Sequence, residues 1–251
     1  MPVITPINEA ELEFDNGNFD SAAFTAQTLS SWKNLASVID HTLLKPDANR
    51  SQIESLCDEA ARYRFACAMV NPVWASTAVS VLAGTGVPVG VVVGFPLGAS
   101  LVSTISTEAT SLVRLGAREL DMVLPVGQLK SGKHQSVETA IRAIADIAHQ
   151  HGCLLKVILE TCLLTMEEKL RASEISIQAG ADFLKTSTGF STGGATPADV
   201  ALLRGVAGAR AGVKASGGIR TLADVTALLE AGANRIGASA SVAIVRELGA
   251  E

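Results

Sequence analysis

From about residue 35 onward the chain alternates short apolar runs with longer amphipathic stretches, and this rhythm constrains the fold more than any other feature. The short runs are Leu35–Ile39, Phe65–Val70, Val87–Phe95, Leu120–Val126, Leu154–Leu159, Phe183–Thr188, Val213–Ser216 and Arg235–Ser239, eight in all and spaced roughly 22–35 residues apart. Each has the length of a strand buried on both faces. Between them apolar residues recur at helical spacing, as at Val137, Ile141, Ile144 and Ile147. Three helical stretches end alike, in Leu115-Gly116-Ala117, Ala179-Gly180-Ala181 and Ala231-Gly232-Ala233. Glycine there can take the left-handed conformation that closes a helix. Repeated strand–helix units require parallel strands, since each return must cross over. Eight such units in about 215 residues suit an α/β fold, a (β/α)8 TIM barrel. The alternative, a doubly wound open sheet, would carry a Gly-x-Gly-x-x-Gly turn after its first strand. The chain instead reads Asp40-His41-Thr42-Leu43-Leu44-Lys45-Pro46.

This pattern predicts a single barrel domain over 33–251, preceded by an extension over 1–32. In the extension Glu9, Glu11, Glu13, Asp15 and Asp20 all precede the first base, Lys33. That segment reads as partly helical or loosely ordered, suited to cap the bottom of the barrel or to join a subunit contact. With 48% hydrophobic and 18% charged residues, a domain this long can keep a few charged groups dry. The net charge of −5 and the absence of a basic block argue against a nucleic-acid partner, though not against a local anion site. Cys57, Cys67, Cys153 and Cys162 show neither C-x-x-C spacing nor a histidine at ligand spacing. They read as buried reduced thiols, with no metal and no disulfide framework expected. The N-terminus lacks a basic region followed by an apolar core, and the longest apolar stretches fall short of a bilayer. Neither a signal peptide nor a membrane partner is expected, and a cytoplasmic location follows by default.

Charges inside otherwise apolar strands are costly, so each needs a partner or a purpose. Five stand out: Asp40 ending the first run, Asp121 in the fourth, Lys156 in the fifth, Lys185 in the sixth and Lys214 in the seventh. Any one of them can simply face the helix layer, but five together suggest a shared site at the C-terminal mouth of a barrel. Clustered lysines have a specific use. An ordinary lysine amine is free base only about once in a thousand molecules near neutral pH. A second cation and desolvation lower its pKa, and the neutral amine can then attack a carbonyl to form an imine. Lys185 and Lys214 fall at corresponding depths of neighbouring strands, so one can be the nucleophile and the other its activator; spacing leaves open which. Imine chemistry also needs proton transfer, for which Asp121 is the first candidate and Asp40 the second. His149 and His151 end a helix before the fifth strand. His41 lies near the mouth without an evident partner and reads as a structural or substrate-hydroxyl residue.

The loop Lys214-Ala215-Ser216-Gly217-Gly218-Ile219-Arg220 follows the seventh strand, and Gly237-Ala238-Ser239-Ala240-Ser241 follows the eighth. In barrels these two loops commonly hold phosphate. Gly217, Gly218 and Gly237 allow close backbone approach, Ser239 adds a hydroxyl, and Gly189 after the sixth strand can add a third wall. Arg220 reads equally well as an anion contact or as part of the cap of the next helix.

With these residues assembled, the sequence resembles the deoxyribose-phosphate aldolase family. The matching runs are Ile39 to Pro46, Val93-Gly94-Phe95-Pro96-Leu97-Gly98, Glu119-Leu120-Asp121-Met122-Val123, Lys156-Val157-Ile158-Leu159-Glu160-Thr161, Lys185 to Phe190, and Lys214 to Arg220. The resemblance implies a class I aldolase without metal or organic cofactor. Its substrate would be 2-deoxy-D-ribose 5-phosphate, cleaved to acetaldehyde and D-glyceraldehyde 3-phosphate, and a homodimer or tetramer is expected. It implies the Schiff base at Lys185, a pKa-lowering role for Lys214 and a proton relay through Asp121, with Asp40 and Lys156 in a supporting network. The chain departs from the common pattern at four points. Met69 stands where many relatives carry cysteine, which implies better tolerance of acetaldehyde. Val123-Leu124-Pro125 replaces a Val-Ile-Asn run. Phe190 replaces a lysine that helps some relatives hold phosphate. The chain's only tyrosine, Tyr63, precedes the second strand and does not match the C-terminal tyrosine of some relatives. Competing readings are another class I aldolase barrel, of transaldolase or ketose-phosphate type, and a non-enzymatic sugar-phosphate-binding barrel.

Overall fold

The computed structural model describes residues 19–251; the expectations for residues 1–18 lie outside the described residues. The chain opens with helices α1 (Ser21–Thr28) and α2 (Trp32–Ala36), followed by β1 (Ile39–Leu43), α3 (Arg50–Tyr63), β2 (Cys67–Val70), α4 (Ala75–Val81), β3 (Val89–Val93) and α5 (Val102–Leu115). It continues with β4 (Glu119–Val123), α6 (Val126–Lys130), α7 (His134–Gln150), β5 (Leu154–Ile158), α8 (Met166–Gln178), β6 (Phe183–Lys185), α9 (Pro197–Ala207), β7 (Gly212–Ser216), α10 (Leu222–Glu230), β8 (Arg235–Ala238) and α11 (Ser241–Glu247). The eight strands are parallel, pair in chain order and close when β8 meets β1. The chain is a (β/α)8 barrel.

The three glycine endings behave as the pattern requires. Gly116, Gly180 and Gly232 all have positive φ, and the following alanine amides reach back to Leu112, Ser176 and Leu228 carbonyls at 2.9–3.1 Å. This is the bonding that terminates a helix and sends the chain into the next strand. Several strands are shorter than the apolar runs, with Val126 starting α6 and β6 ending at Lys185, and the first differs at its start. Leu35 and Ala36 belong to α2, whose start is capped by the Ser31 side chain accepting from the Asn34 amide, and the strand begins only at Ile39. A short apolar run cannot by itself distinguish a helix end from a strand. At the start of the described chain, Phe19 stacks on the Arg204 guanidinium at 4.0 Å, and α1 packs against α10.

Two apolar regions surround the strands. The larger lies between the strands and the helix layer and includes Leu120, Met122, Val157, Leu184, Val213 and Ile236. The smaller lies inside the barrel, on the side of β1 to β3, where Leu44, Cys67, Met69 and Val92 meet with Phe95 packed against them. The side of the lumen facing β4 to β8 carries the charged side chains.

Candidate active site

Period-two alternation decides which strand residues face the lumen. In β4, Leu120 and Met122 join the outer core, which turns Glu119 and Asp121 inward. Register then sets their depth. Asp121 lies level with Lys156 of β5, Lys185 of β6 level with Lys214 of β7, and Asp40 of β1 level with Gly237 of β8. Gly237 matters because a Cβ there would lie 3.0 Å from the Lys214 Cε; its bare backbone lets the lysine stem cross the lumen.

The five charged residues expected from the sequence form one network. The Lys185 Nζ donates to Asp121 Oδ2 at 2.7 Å, and the Lys214 Nζ donates to the same oxygen at 2.7 Å. Lys214 also donates to Asp40. Lys156 donates to Asp121 Oδ1 at 2.8 Å and to Glu119 at 2.5 Å. Two members had no signal inside an apolar run. Arg235 opens β8 and Glu119 opens β4, and the sequence reading singled out neither. Yet Arg235 donates to Asp40 Oδ1 at 2.6 Å and to both Glu119 oxygens at 2.8 and 3.0 Å. The alternation of Glu119 with Asp121 was the signal that could have found the acid. Asp40, Cys67 and Glu119 also bring ligand atoms within 4.8 Å of one another, but Lys156 and Arg235 already meet the two carboxylates.

The network holds four cations and three carboxylates, all largely or wholly removed from water. Asp40 and Asp121 are held well below the usual carboxylate range: burial would raise them, and the surrounding cations more than offset it. Lys156 is pushed well above its ordinary value because its three carboxylates outweigh its burial. Lys185 goes the other way. Burial first, and the neighbouring charge of Lys214 after the opposing pull of Asp121, bring it down to about 8. The odd cation of a desolvated cluster is therefore the one whose proton is cheapest to lose.

Lys185 opens onto a cavity of about 340 Å³ at the C-terminal mouth. The same cavity is lined by all five phosphate candidates, Gly189, Gly217, Gly218, Gly237 and Ser239. Gly217 and Gly218 both have positive φ, and the Gly217 carbonyl is tied to the Ala195 amide at 3.0 Å. Among the described residues the amides of Gly189, Gly217 and Gly218 donate to no protein acceptor. Arg220 is exposed and does not line the cavity; its amide and that of Thr221 donate to Asp224, which fixes the start of α10. The mouth is instead lined by Lys45, which sequence reasoning passed over. A wider cleft of about 590 Å³ lies at the opposite end, beside Asp182, Arg204 and Asn234, and contains none of the clustered lysines.

Three further expectations change. His41 has a partner: it faces the helix layer, where Nε2 lies 2.7 Å from the Glu59 carboxylate of α3 and the ring stacks near Phe65 at 5.0 Å. Cys162 is exposed rather than buried. Glu160 is a buried acid that the sequence did not single out. It has φ of 56°, and its carboxylate accepts from the Thr188 amide at 3.2 Å and from the Thr188 hydroxyl. Met69 and Cys67 are both sealed within the lumen, and burial pushes the Cys67 thiol up, away from its reactive form.

A closed parallel barrel with a desolvated amine at its mouth suits an aldolase, a carbon–carbon lyase. Comparison with known proteins makes the class specific. Residues 35–247 match the family model described as DeoC/LacD family aldolase, and the chain belongs to that family. It is 54% identical over 212 residues to the deoxyribose-phosphate aldolase of Geobacillus sp. (strain WCH70), covering 84% of this chain and 95% of that one. It is 53% identical over 215 residues to the enzyme of the same name from Thermoanaerobacter sp. (strain X514), covering 85% and 96%. A solved structure described as a tetrameric deoxyribose phosphate aldolase from Aeropyrum pernix superposes with a TM-score of 0.84 at 36% identity, covering 91% of this chain and 96% of that one.

Proposed function

We propose that this chain catalyses the reversible cleavage of 2-deoxy-D-ribose 5-phosphate to acetaldehyde and D-glyceraldehyde 3-phosphate, with Lys185 as the Schiff-base nucleophile. The observation that carries the reading is the Lys185 amine itself, brought down to about 8 and opening onto the mouth cavity. In the cleavage direction the neutral amine adds to the aldehyde carbon of the open-chain sugar, and loss of water leaves an iminium ion. The C3 hydroxyl gives up its proton, the C2–C3 bond breaks, and its electron pair passes into the iminium to form an enamine. Glyceraldehyde 3-phosphate leaves, a proton returns to C2, and water hydrolyses the remaining imine to acetaldehyde and free Lys185. Asp121, working through water, is the proton carrier, and Lys214 adds to the burial that lowers the Lys185 pKa, so that more of the amine is free base between turnovers. Asp40 and Lys156 hold these groups in place. The phosphate sits against Gly189, Gly217, Gly218, Gly237 and Ser239. Neither metal nor organic cofactor enters the cycle. The same reading assigns the enzyme to deoxyribose phosphate catabolism in the cytoplasm as a homo-oligomer. Among the described residues no helix is long and apolar enough to cross a membrane.

Borohydride reduction in the presence of deoxyribose phosphate tests the assignment. Mass spectrometry should find a reduced adduct on Lys185, and Lys185→Leu should abolish turnover. An adduct confined to another lysine, or no adduct at all, would end it. Turnover with dihydroxyacetone phosphate in place of acetaldehyde as donor would point to a ketose-phosphate aldolase instead.

A further inference from the structure

We propose that Lys45 supplies the cation that holds the substrate's phosphate, completing a site whose other donors are glycine amides and a serine. The inference rests on the sugar-phosphate reading above and adds a residue to it. A phosphate monoester carries about 1.5 to 2 negative charges near neutral pH. Among the described residues the mouth cavity offers only two charged side chains, Lys185 and Lys45. Lys185 is 3% exposed, bonded to Asp121, and must be neutral to react. Arg220 lies outside the lining, and Phe190, next to Gly189, brings no charge. Lys45 is what remains.

Its position follows from barrel closure. β1 and β8 are neighbours, with Asp40 level with Gly237 and His41 level with Ala238. The chain leaving β1 therefore rises beside the chain leaving β8, and Lys45 comes to line the same cavity as Gly237, Ala238 and Ser239. The backbone beneath it is pinned on both sides: the Asn71 side-chain Nδ2 donates to the Leu44 carbonyl at 3.0 Å, and the Ala48 backbone amide to the Lys45 carbonyl at 3.2 Å. The side chain is exposed, and among the described residues it has no carboxylate within ion-pair distance. An unpaired lysine on a pinned backbone, lining the same cavity as unused amide donors, suits a mobile dianion: its flexible side chain can follow the phosphate in and out.

The test compares kcat/KM for 2-deoxyribose 5-phosphate with that for unphosphorylated 2-deoxyribose in the wild type, Lys45→Met and Lys45→Arg. Lys45→Met should lower the preference for the phosphorylated sugar about five- to thirtyfold, the range of one charge-assisted hydrogen bond, and through KM more than through kcat. Lys45→Arg should restore most of that preference. Raising salt from about 0.05 to about 0.5 M should erode the preference in the wild type and far less in Lys45→Met. A wild-type enzyme that cleaves deoxyribose phosphate while Lys45→Met keeps the same preference defeats the role of Lys45 and leaves the proposed reaction standing. A wild type that cleaves neither sugar defeats both.

Discussion

Lys156 and Lys185 both touch Asp121, yet they are driven in opposite directions. Lys156 meets Asp121, Glu119 and, at 3.7 Å, Asp40, and it is held firmly protonated. Lys185 meets only the Asp121 oxygen that Lys214 also occupies. Both are buried; what separates them is that Lys156 has three carboxylates to offset its burial and Lys185 has one, whose oxygen it shares with Lys214. Lys214→Met should therefore let Asp121 serve Lys185 alone and move the Lys185 pKa up from about 8 toward its ordinary 10.5. Activity near neutral pH should fall by tenfold or more and recover partly as pH approaches 10, because each pH unit below the pKa removes about nine-tenths of the remaining free amine. A pH–rate profile reads this directly. A lower rate with an unmoved midpoint would mean that Lys214 acts in some other way. The same scale explains what the sequence could disclose. Asp121, Lys185 and Lys214 were visible because a charge within an apolar run has few harmless explanations. Glu119 and Arg235 stand at strand starts, where a charge ordinarily meets water, and only closure of the barrel turns both into the lumen. Lys45 was hidden for the opposite reason: it is exposed, and only the neighbouring β8 loop gives it a use.

At the scale of elements, the junction of β5 and β6 carries a local irregularity. The Leu159 amide donates to the Lys185 carbonyl at 2.9 Å and the Thr161 amide to the Thr186 carbonyl at 3.0 Å. One side advances two residues while the other advances one, so Glu160 is an extra residue in the manner of a bulge. Its left-handed backbone is unfavourable for a side-chain-bearing residue, and it aims the carboxylate at Thr188. The Thr188 hydroxyl accepts in turn from the Phe190 amide at 3.0 Å, so one acid fixes the whole Thr188–Gly189–Phe190 turn against the mouth. Glu160→Gly separates the two effects, since glycine relieves the backbone but removes the clamp. It should raise KM for the phosphorylated sugar severalfold while melting within a few degrees of the wild type. A native KM would mean that the turn holds itself. The rhythm of strands and helices was legible in advance because periodicity and glycine endings are local signals. The bulge was not, because an αL glutamate is selected by its partner 28 residues away.

Across the whole molecule the cohesion and the chemistry occupy different layers. The large apolar core lies between strands and helices, whereas most of the lumen is given over to the ion network. The two buried aspartates favour the fold above the usual carboxylate pKa and lose that contribution as pH falls below it, and Lys156 favours the fold until pH rises past its raised value. Lys185 acts in the opposite sense. Its folded pKa of about 8 lies below the ordinary 10.5, so protonating it costs the folded state more than the unfolded one. The penalty is full below about pH 8, shrinks as pH rises toward 10.5 and vanishes above it; at full strength it is about 3 kcal/mol. Lys185→Met removes the surplus cation and leaves three against three. The variant should be inactive and yet more stable near pH 6.5, by roughly 6–12 °C in melting temperature for a chain of this size, with the gain narrowing above pH 8. Denaturant unfolding of both proteins across that range supplies the measurement. A variant less stable at pH 6.5, or a difference that does not change between pH 7 and 10, would mean that Lys185 is not the strained charge of the network. The expected outcome places the reactive amine among the sites where activity is kept at the expense of stability.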